Sequence, residues 1–242
     1  MSLSISRFLR NAALLSLAAT SIAWAASTTP EAVIKNHFKT YLGQTPDEVN
    51  KTNYGNLYEV RLGTDIVYSD PNGLYLIMGN VIDMQSKKNL TEERVDQISK
   101  IDFKALPKQH AIKVVKGDGS AQMAVFSDPN CGHCKYLEKN LQKVDNVTVY
   151  LFTLPILSDS SKTIAENAWC SDNPVKSWQN WMLGGVKPVK TKVTCSLPEK
   201  EIRQLAEKLG IRGTPTIFFS DGTRVPGAVE AQDINFKLKT LR

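Results

Sequence analysis

Short alternating or continuous apolar runs follow a single helical segment in the first third of the chain. Residues Pro30 to Lys39 have the spacing of a helix. Three later runs have the pattern of strands and lie at 58–62, 65–68 and 74–78. Asp70-Pro71-Asn72-Gly73 predicts a tight turn between the last two. We predict a small antiparallel sheet with one helix, whose modest core and open edges favour self-association.

A polar segment with widely spaced apolar residues follows this predicted sheet. Its apolar positions are Val95, Ile98 and Ile101. Thr91 is the expected N-cap of a helix that joins two domains. The predicted division is a leader at 1–25, an N-terminal domain at 26–88, a linker helix at 89–106 and a second domain at 107–242.

Strands alternate with helices from about Lys108 onward, which is the pattern of an α/β domain. Strands are predicted at 111–115, 123–126, 147–152, 216–219 and 223–226. Helices are predicted at 136–144, within 161–183, at 199–209 and at 231–241.

The first 25 residues have the features of a secretory signal peptide. Arg7 and Arg10 precede an apolar run at 12–19, and Ala23-Trp24-Ala25 has the small-x-small form of a cleavage site. The alternative is a membrane anchor, but the run is shorter than the ~20 apolar residues that span a bilayer, and serine and threonine interrupt it. We expect cleavage after Ala25 and export as a soluble protein.

The charge of the chain is mildly basic. Loss of the leader removes Arg7 and Arg10 and no acidic residue, which lowers the formal net charge from +6 to +4. The lysines alternate with acidic residues instead of forming one cluster, so we expect a solvated surface and no nucleic-acid partner.

Two closely spaced thiols, Cys131 and Cys134 with Gly132-His133 between them, carry the clearest chemistry. An apolar strand at 122–127 precedes them and an amphipathic helix follows, so Cys131 falls at a helix N-terminus. Unpaired N–H groups and the helix dipole stabilise a thiolate there and lower the pKa of such a cysteine to about 3.5–7.5. We expect Cys131 to be the nucleophile and Cys134 the resolving thiol.

Two alternatives accompany this interpretation. The pair could be half of a zinc site, but Cys170 and Cys195 lie 36 and 61 residues beyond Cys134 and no histidine follows it, so we expect no metal. His133 is expected to favour the thiolate and tune the redox potential. Its alternative is an exposed helix residue without a role.

Cys170 and Cys195 enclose 24 residues. A bridge between them would remove chain entropy worth about 3.5 kcal/mol from the unfolded state. They share no helix end, so we interpret them as a structural disulfide, with free buried thiols as the alternative. Pro215 precedes a predicted strand, and because only about 5–6% of X-Pro bonds are cis, the residues alone predict a trans bond.

Four segments together resemble the periplasmic disulfide isomerases of the DsbC and DsbG family. They are Phe126–Cys134, Trp169-Cys170, Gly213-Thr214-Pro215 and Ser220–Gly227. Gly132 is typical of the DsbC branch, because the DsbG branch has proline there. One residue departs from the DsbC pattern, since His133 occupies a position where that branch commonly has tyrosine. Cys-Gly-His-Cys is also the motif of eukaryotic protein disulfide isomerase, but that enzyme has tryptophan where this chain has Asn130.

The resemblance implies a fold and a site. The fold is an α+β, cystatin-like N-terminal dimerisation domain, joined by a linker helix to an α/β thioredoxin-like domain with a helical insertion. The site has a cis bond at Thr214-Pro215 beside Cys131, and Thr214 offers backbone hydrogen bonds to an extended substrate. The resemblance also implies a homodimer with two dithiols facing one cleft.

The function implied is a periplasmic thiol-disulfide isomerase and reductase that acts on misfolded disulfide-containing exported proteins. Its electron donor would be the membrane reductase DsbD. No cofactor is expected, because sulfur carries both electrons. The alternatives are a redox-independent holdase chaperone, a DsbG-like reductase of oxidised single cysteines, and a net oxidase, against which dimerisation argues.

Overall fold

A computed structural model describes residues 29–241; the predicted leader and its cleavage site after Ala25 lie outside these residues. The N-terminal part consists of one helix and a four-stranded antiparallel sheet of order β1-β2-β3-β4. Its elements are α1 (Pro30–Leu42), β1 (Glu48–Lys51), β2 (Tyr58–Leu62), β3 (Asp65–Ser69) and β4 (Leu76–Ile77).

Local sequence explains where α1 begins and ends. The Thr29 hydroxyl accepts a hydrogen bond from the N–H of Ala32, Pro30 occupies the first turn, and Gly43 ends the helix at φ 67°. The buried face of α1 packs on the sheet and forms a small core. This core consists of Ile34, Phe38, Val49, Tyr58 and Val60.

Two strands differ from the expectation. β1 was not predicted, because Glu48–Lys51 contains a single apolar residue, Val49. The strand expected at 74–78 is shortened to β4, because the Asp70 carboxylate accepts hydrogen bonds from the N–H groups of Leu74 and Tyr75 and holds them in a loop. Both residues are left exposed.

The linker helix, α2 (Leu90–Ile98), has a different N-cap from the expected one. Asn89 caps it by accepting the N–H of Glu92 at 3.1 Å. The prediction for Thr91 was wrong, because its hydroxyl is committed to other partners. It forms a buried hydrogen bond of 2.6 Å with the Tyr68 hydroxyl and accepts the N–H of Val81. This side chain fastens α2 to the N-terminal sheet.

The segment after α2 belongs to the second domain. The N–H of Ile101 donates to the Gly222 oxygen at 3.1 Å, and any β-carbon on Gly222 would collide with Ile101. A 3₁₀ turn follows at Phe103–Ala105, and Phe103 and Leu106 are buried in the second domain's core. The linker helix, expected over 89–106, therefore ends at Ile98.

The second domain is built on a five-stranded sheet of order β5-β7-β6-β8-β9, in which only β6 and β7 run parallel. The strands are β5 (Ile112–Lys116), β6 (Ala121–Ser127), β7 (Val147–Thr153), β8 (Thr216–Phe219) and β9 (Arg224–Pro226). The helices are α3 (Gly132–Leu141), α4 (Asp159–Trp169), α5 (Pro174–Gly184), α6 (Glu199–Lys208) and α7 (Ala231–Lys239). A 3₁₀ turn at Lys108–His110 precedes β5.

Helices cover both faces of this sheet. Met123 and Val125 of β6 contribute to one core, whereas Ala124 and Phe126 contribute to the other. A strand buried on both faces reads as a continuous apolar run, as this one does. The C-terminal end of β6 therefore emerges from the centre of the domain, and it leads directly to Cys131. None of the helices within residues 29–241 has the length and apolar character needed to cross a membrane.

Candidate active site

Cys131 is the N-cap of α3, four residues after the end of β6. Its Sγ accepts the N–H of Cys134 at 3.3 Å. At many helix N-termini a serine or aspartate side-chain oxygen accepts this hydrogen bond. Both cysteines are free thiols in this structure. A negative charge on Cys131 would therefore form beside unpaired N–H groups and the positive end of the helix dipole.

The loop before β8 closes over the same sulfur. Thr214-Pro215 is a cis peptide bond, and Cys131 Sγ lies 3.2 Å from the main-chain oxygen of Thr214. Gly227 donates its N–H to the Pro215 oxygen at 2.8 Å, which fixes the loop to β9. Cys131 is only 6% exposed, so another molecule has a narrow approach to its sulfur.

Cys134 has a different environment one helical turn inward. It is 1% exposed, and burial raises the pKa of its thiol to about 12. A hydrogen bond from Ser127 partly opposes this rise, and one with Cys131 adds to it. The two thiols are therefore inequivalent, because one is at the helix end and the other is held protonated in the core.

His133 is exposed on the first turn of α3, and its side chain makes no hydrogen bond within the described residues. An exposed imidazole between the two thiols can act on them only through charge and solvent. Its tuning role therefore stays a prediction.

Asp128 is fully buried between β6 and the dithiol. One carboxylate oxygen accepts the N–H of Asn130 at 2.7 Å and the Ser161 hydroxyl at 2.8 Å. The other accepts the N–H groups of Ile156 and Leu157 at 2.8 and 3.0 Å. Four donors surround the charge, which is the condition for burying a carboxylate. We call Ile156 and Leu157, which are 39% and 56% exposed, the apolar rim.

Further bonds brace the turn that carries Cys131. The amide of Asn130 donates to the hydroxyls of Ser158, Ser160 and Ser161 at the start of α4. On the other side, the indole N–H of Trp181 donates to the Pro129 oxygen at 2.7 Å. Both ends of the helical insertion α4–α5 therefore hold the turn in place.

Glu138 follows Cys134 by one turn of α3 and is 7% exposed. Its carboxylate accepts hydrogen bonds from the Trp178 indole at 3.3 Å and the Gln142 amide at 3.2 Å. Burial raises the pKa of Glu138, and the bond from Trp178 opposes the rise. A carboxyl group in the core of the dithiol helix makes the stability of this domain depend on pH.

Cys170 and Cys195 form a disulfide with a Cα–Cα distance of 5.6 Å. Cys170 caps the C-terminal end of α4 and is fully buried, and its oxygen accepts the N–H of Lys192 at 3.0 Å. The bridge therefore fastens the segment after the insertion to the C-terminal end of α4.

Of the residues singled out from the sequence, the structure brings Cys131, Cys134, Thr214 and Pro215 together and leaves His133 exposed beside them; their roles stay predictions. The sequence analysis did not single out Asp128, Trp181 or Glu138. The signal for Asp128 was available, because Asp-x-Asn after a buried strand is typical of a side chain that bonds the N–H two residues later. Trp181 and Glu138 carried no local signal. Within residues 29–241, no three histidine, cysteine, aspartate or glutamate side chains converge on a possible metal site.

Two family models match the chain. Residues 25–92 match the family described as the disulfide bond isomerase protein N-terminal domain. Residues 108–242 match the thioredoxin-like domain. These matches confirm the predicted fold class, an α+β N-terminal domain followed by a thioredoxin-like domain.

Curated relatives and a solved structure show the same similarity. The chain is 40% identical over 208 residues to a probable thiol:disulfide interchange protein DsbC of Bordetella pertussis, covering 86% of this chain and 74% of the relative. It is 27% identical to the thiol:disulfide interchange protein DsbC of Dickeya dadantii, covering 77% of each. A disulfide interchange protein from Neisseria gonorrhoeae matches with 36% identity and a TM-score of 0.51 over 55% of this chain and 99% of that one.

Proposed function

Because the chain belongs to the DsbC family of thiol:disulfide interchange proteins, it is a thiol-disulfide oxidoreductase, and we propose that it isomerises wrong disulfides in exported proteins. The observation that carries this proposal is the inequivalence of the two thiols. Cys131 caps a helix and contacts the cis-proline loop, whereas the pKa of Cys134 is raised to about 12.

The first step is an attack by the Cys131 thiolate on one sulfur of the substrate disulfide. A bond forms between Cys131 and that sulfur, the substrate S–S bond breaks, and the other substrate sulfur leaves as a thiolate. The N–H of Cys134 stabilises the attacking charge, and the main chain of Thr214 offers hydrogen bonds to an extended substrate segment. The step is redox-neutral.

The mixed disulfide then has two exits. A second thiolate of the substrate can attack it, which forms a new substrate disulfide and returns Cys131 as a thiolate. Alternatively, Cys134 loses its proton and attacks Cys131, which releases a reduced substrate and leaves a Cys131–Cys134 disulfide. The raised pKa of Cys134 slows the second exit and leaves time for the first, which is isomerisation.

Regeneration is needed only after the second exit, when two electrons have passed to the substrate. We propose the membrane reductase DsbD as the donor and the periplasm as the compartment, with a leader removed after Ala25. The proposed roles of the site residues are Cys131 as nucleophile, Cys134 as resolving thiol, His133 as a modulator of potential, and Thr214 with Pro215 as the substrate-binding loop. No cofactor takes part in these reaction steps.

A homodimer formed by the N-terminal domains is also proposed. β4 is at an open edge of the four-stranded sheet, and the residues around it are apolar and exposed. They are Leu74, Tyr75, Leu76, Ile77 and Met78, at 42–77% exposed. An exposed apolar edge strand favours pairing with a second chain. The cleft between two such subunits would also give the chaperone-like binding that the alternative holdase function requires.

The experiment is reactivation of scrambled ribonuclease by the purified protein in a glutathione buffer, compared with Cys131→Ser. Reactivation that depends on Cys131 supports isomerisation, and undiminished reactivation by the variant refutes it. Suppression of aggregation by a variant without Cys131 and Cys134 would assign the holdase role separately. Preferential reduction of a sulfenylated single-cysteine protein would favour the DsbG-like alternative.

A further inference from the structure

The carboxylate of Asp128 ties two parts of the molecule together. One oxygen holds Asn130, the residue before Cys131, and the other holds the apolar rim, 26 or more residues further along the chain. The main-chain oxygen of Asp128 also accepts the N–H of Cys131 at 3.2 Å. Two separate segments are thus set at a fixed distance by one side chain.

We propose that Asp128 is a positioning residue that fixes the apolar rim relative to Cys131, so that a polypeptide contacts the rim while its disulfide meets the sulfur. This inference rests on the proposed function, because it concerns how a protein substrate is presented to the dithiol. The occupant of the rim is an apolar stretch of the substrate chain next to its cysteine.

Hydrogen-bond chemistry explains why the group must be a carboxylate. Each of its oxygens accepts two hydrogen bonds. Three of the four donors are backbone N–H groups that have no other acceptor among the described residues. An asparagine offers one oxygen and one NH₂ group. The NH₂ group would face either Asn130 N–H or the two rim N–H groups, so one segment would lose its anchor.

The exposure of the rim supports its use by a substrate. Ile156 and Leu157 remain open to solvent although their backbone is tied into the core. The same carboxylate reaches both segments, so the rim backbone is separated from that of Asn130 only by the width of one carboxylate. The rim backbone is therefore a neighbour of the turn that carries Cys131, which is the closeness that the proposed contact with a substrate chain requires.

The first test is Asp128→Asn, with Asp159→Asn as the matched control. Asp159 is fully exposed at the start of α4, so its variant removes a nearby charge without touching the buried network. Two rate constants are compared for each folded protein. Both are measured at a pH where the rate of that protein no longer changes with pH. One is for reaction with the small disulfide 5,5′-dithiobis(2-nitrobenzoate), and the other is for reactivation of scrambled ribonuclease.

We expect Asp128→Asn to slow reaction with scrambled ribonuclease about tenfold or more, because a rim that is no longer held in place cannot orient the substrate chain for attack by Cys131. Reaction with the small disulfide should change less than about threefold, because the N–H of Cys134 still caps Cys131. Equal losses with both substrates would indicate a merely structural role and overturn the proposal. So would unchanged rates in a folded variant.

A second variant keeps the inference testable if Asp128→Asn does not fold. Leu157→Ser changes an exposed side chain, and Val193→Ser is its control because Val193 is 87% exposed on the loop that leads to Cys195. Leu157→Ser should slow ribonuclease reactivation by about threefold to tenfold at unchanged melting temperature. An effect equal to that of Val193→Ser overturns the proposal. Absence of reactivation by the wild type refutes the proposed function instead.

Discussion

The Sγ atom of Cys131 lies 3.2 Å from the main-chain oxygen of Thr214, although 83 residues separate the two in the chain. The contact brings a helix N-terminus and the loop before β8 to one point. While Cys131 is a thiol it donates to this oxygen, and once it is a thiolate it no longer does. The oxygen is then available for the substrate N–H that the proposed binding role of Thr214 requires.

Reactivity of Cys134 should depend steeply on pH. In Cys131→Ser, the thiol of Cys134 can be labelled alone with iodoacetamide. Because burial raises the pKa of Cys134 to about 12, its labelling at pH 7 should be about a thousandfold slower than that of a free cysteine. The rate should rise about tenfold for each pH unit up to pH 10. The same variant unfolded in guanidinium is the control, and a plateau near pH 8.5 in the folded protein would contradict the assignment.

Replacement of Glu138 by glutamine should change how stability depends on pH. Burial raises the folded-state pKa of Glu138, so its protonated form favours folding and this stability is lost as pH rises through the folded-state value. Relative to Glu138→Gln, the wild type should lose up to about 1.4 kcal/mol per pH unit above pH ~4.3 until that value is passed. Urea unfolding at several pH values measures the difference. Parallel stability curves would show that Glu138 does not titrate in this way.

Loss of the disulfide should lower stability without changing the dithiol. The bridge closes a loop with a sequence separation of 25 residues. The double variant Cys170→Ala with Cys195→Ala should therefore lose about 3.5 kcal/mol of unfolding free energy in urea. Labelling of Cys131 in the folded variant should match the wild type. A large change in that labelling would mean that the bridge shapes the active site.

A charge on the open sheet edge should disrupt the proposed dimer. Leu76→Lys places a cation in β4, where a second copy would have to bury it. Sedimentation equilibrium should shift from dimer to monomer, and ribonuclease reactivation should fall several-fold while reaction with a small disulfide persists. Val193→Lys in the other domain is the control. A wild-type monomer, or a variant that remains a dimer, would contradict this use of the edge.

Local sequence was sufficient for the helix-end thiol and for the strand pattern of the second domain. Cys131 follows a continuous apolar run and precedes an amphipathic helix, so its place at a helix N-terminus follows from neighbouring residues alone. The α/β pattern of the second domain was predictable for the same reason, since strands buried on both faces have a continuous apolar character, whereas its thioredoxin-like architecture was implied by the resemblance to the DsbC and DsbG family.

Contacts between distant segments could not be predicted in this way. Asp128 bonds with residues up to 33 positions away, and its partners are chiefly backbone groups that carry no sequence signal. Thr91 looked like a cap, but the Tyr68 hydroxyl recruits it into the sheet. In each case tertiary packing decided between roles that the local sequence permitted.

The most direct test of the account is to trap its first intermediate. Cys134→Ala removes the thiol that would release a mixed disulfide, so the purified variant is incubated with scrambled ribonuclease, quenched with acid and mapped by mass spectrometry without reduction. We expect a covalent adduct between Cys131 and a ribonuclease cysteine, absent when Cys131 is also replaced by serine. The absence of an adduct at Cys131 would contradict this mechanism. So would an adduct that forms equally well when Cys131 is replaced by serine.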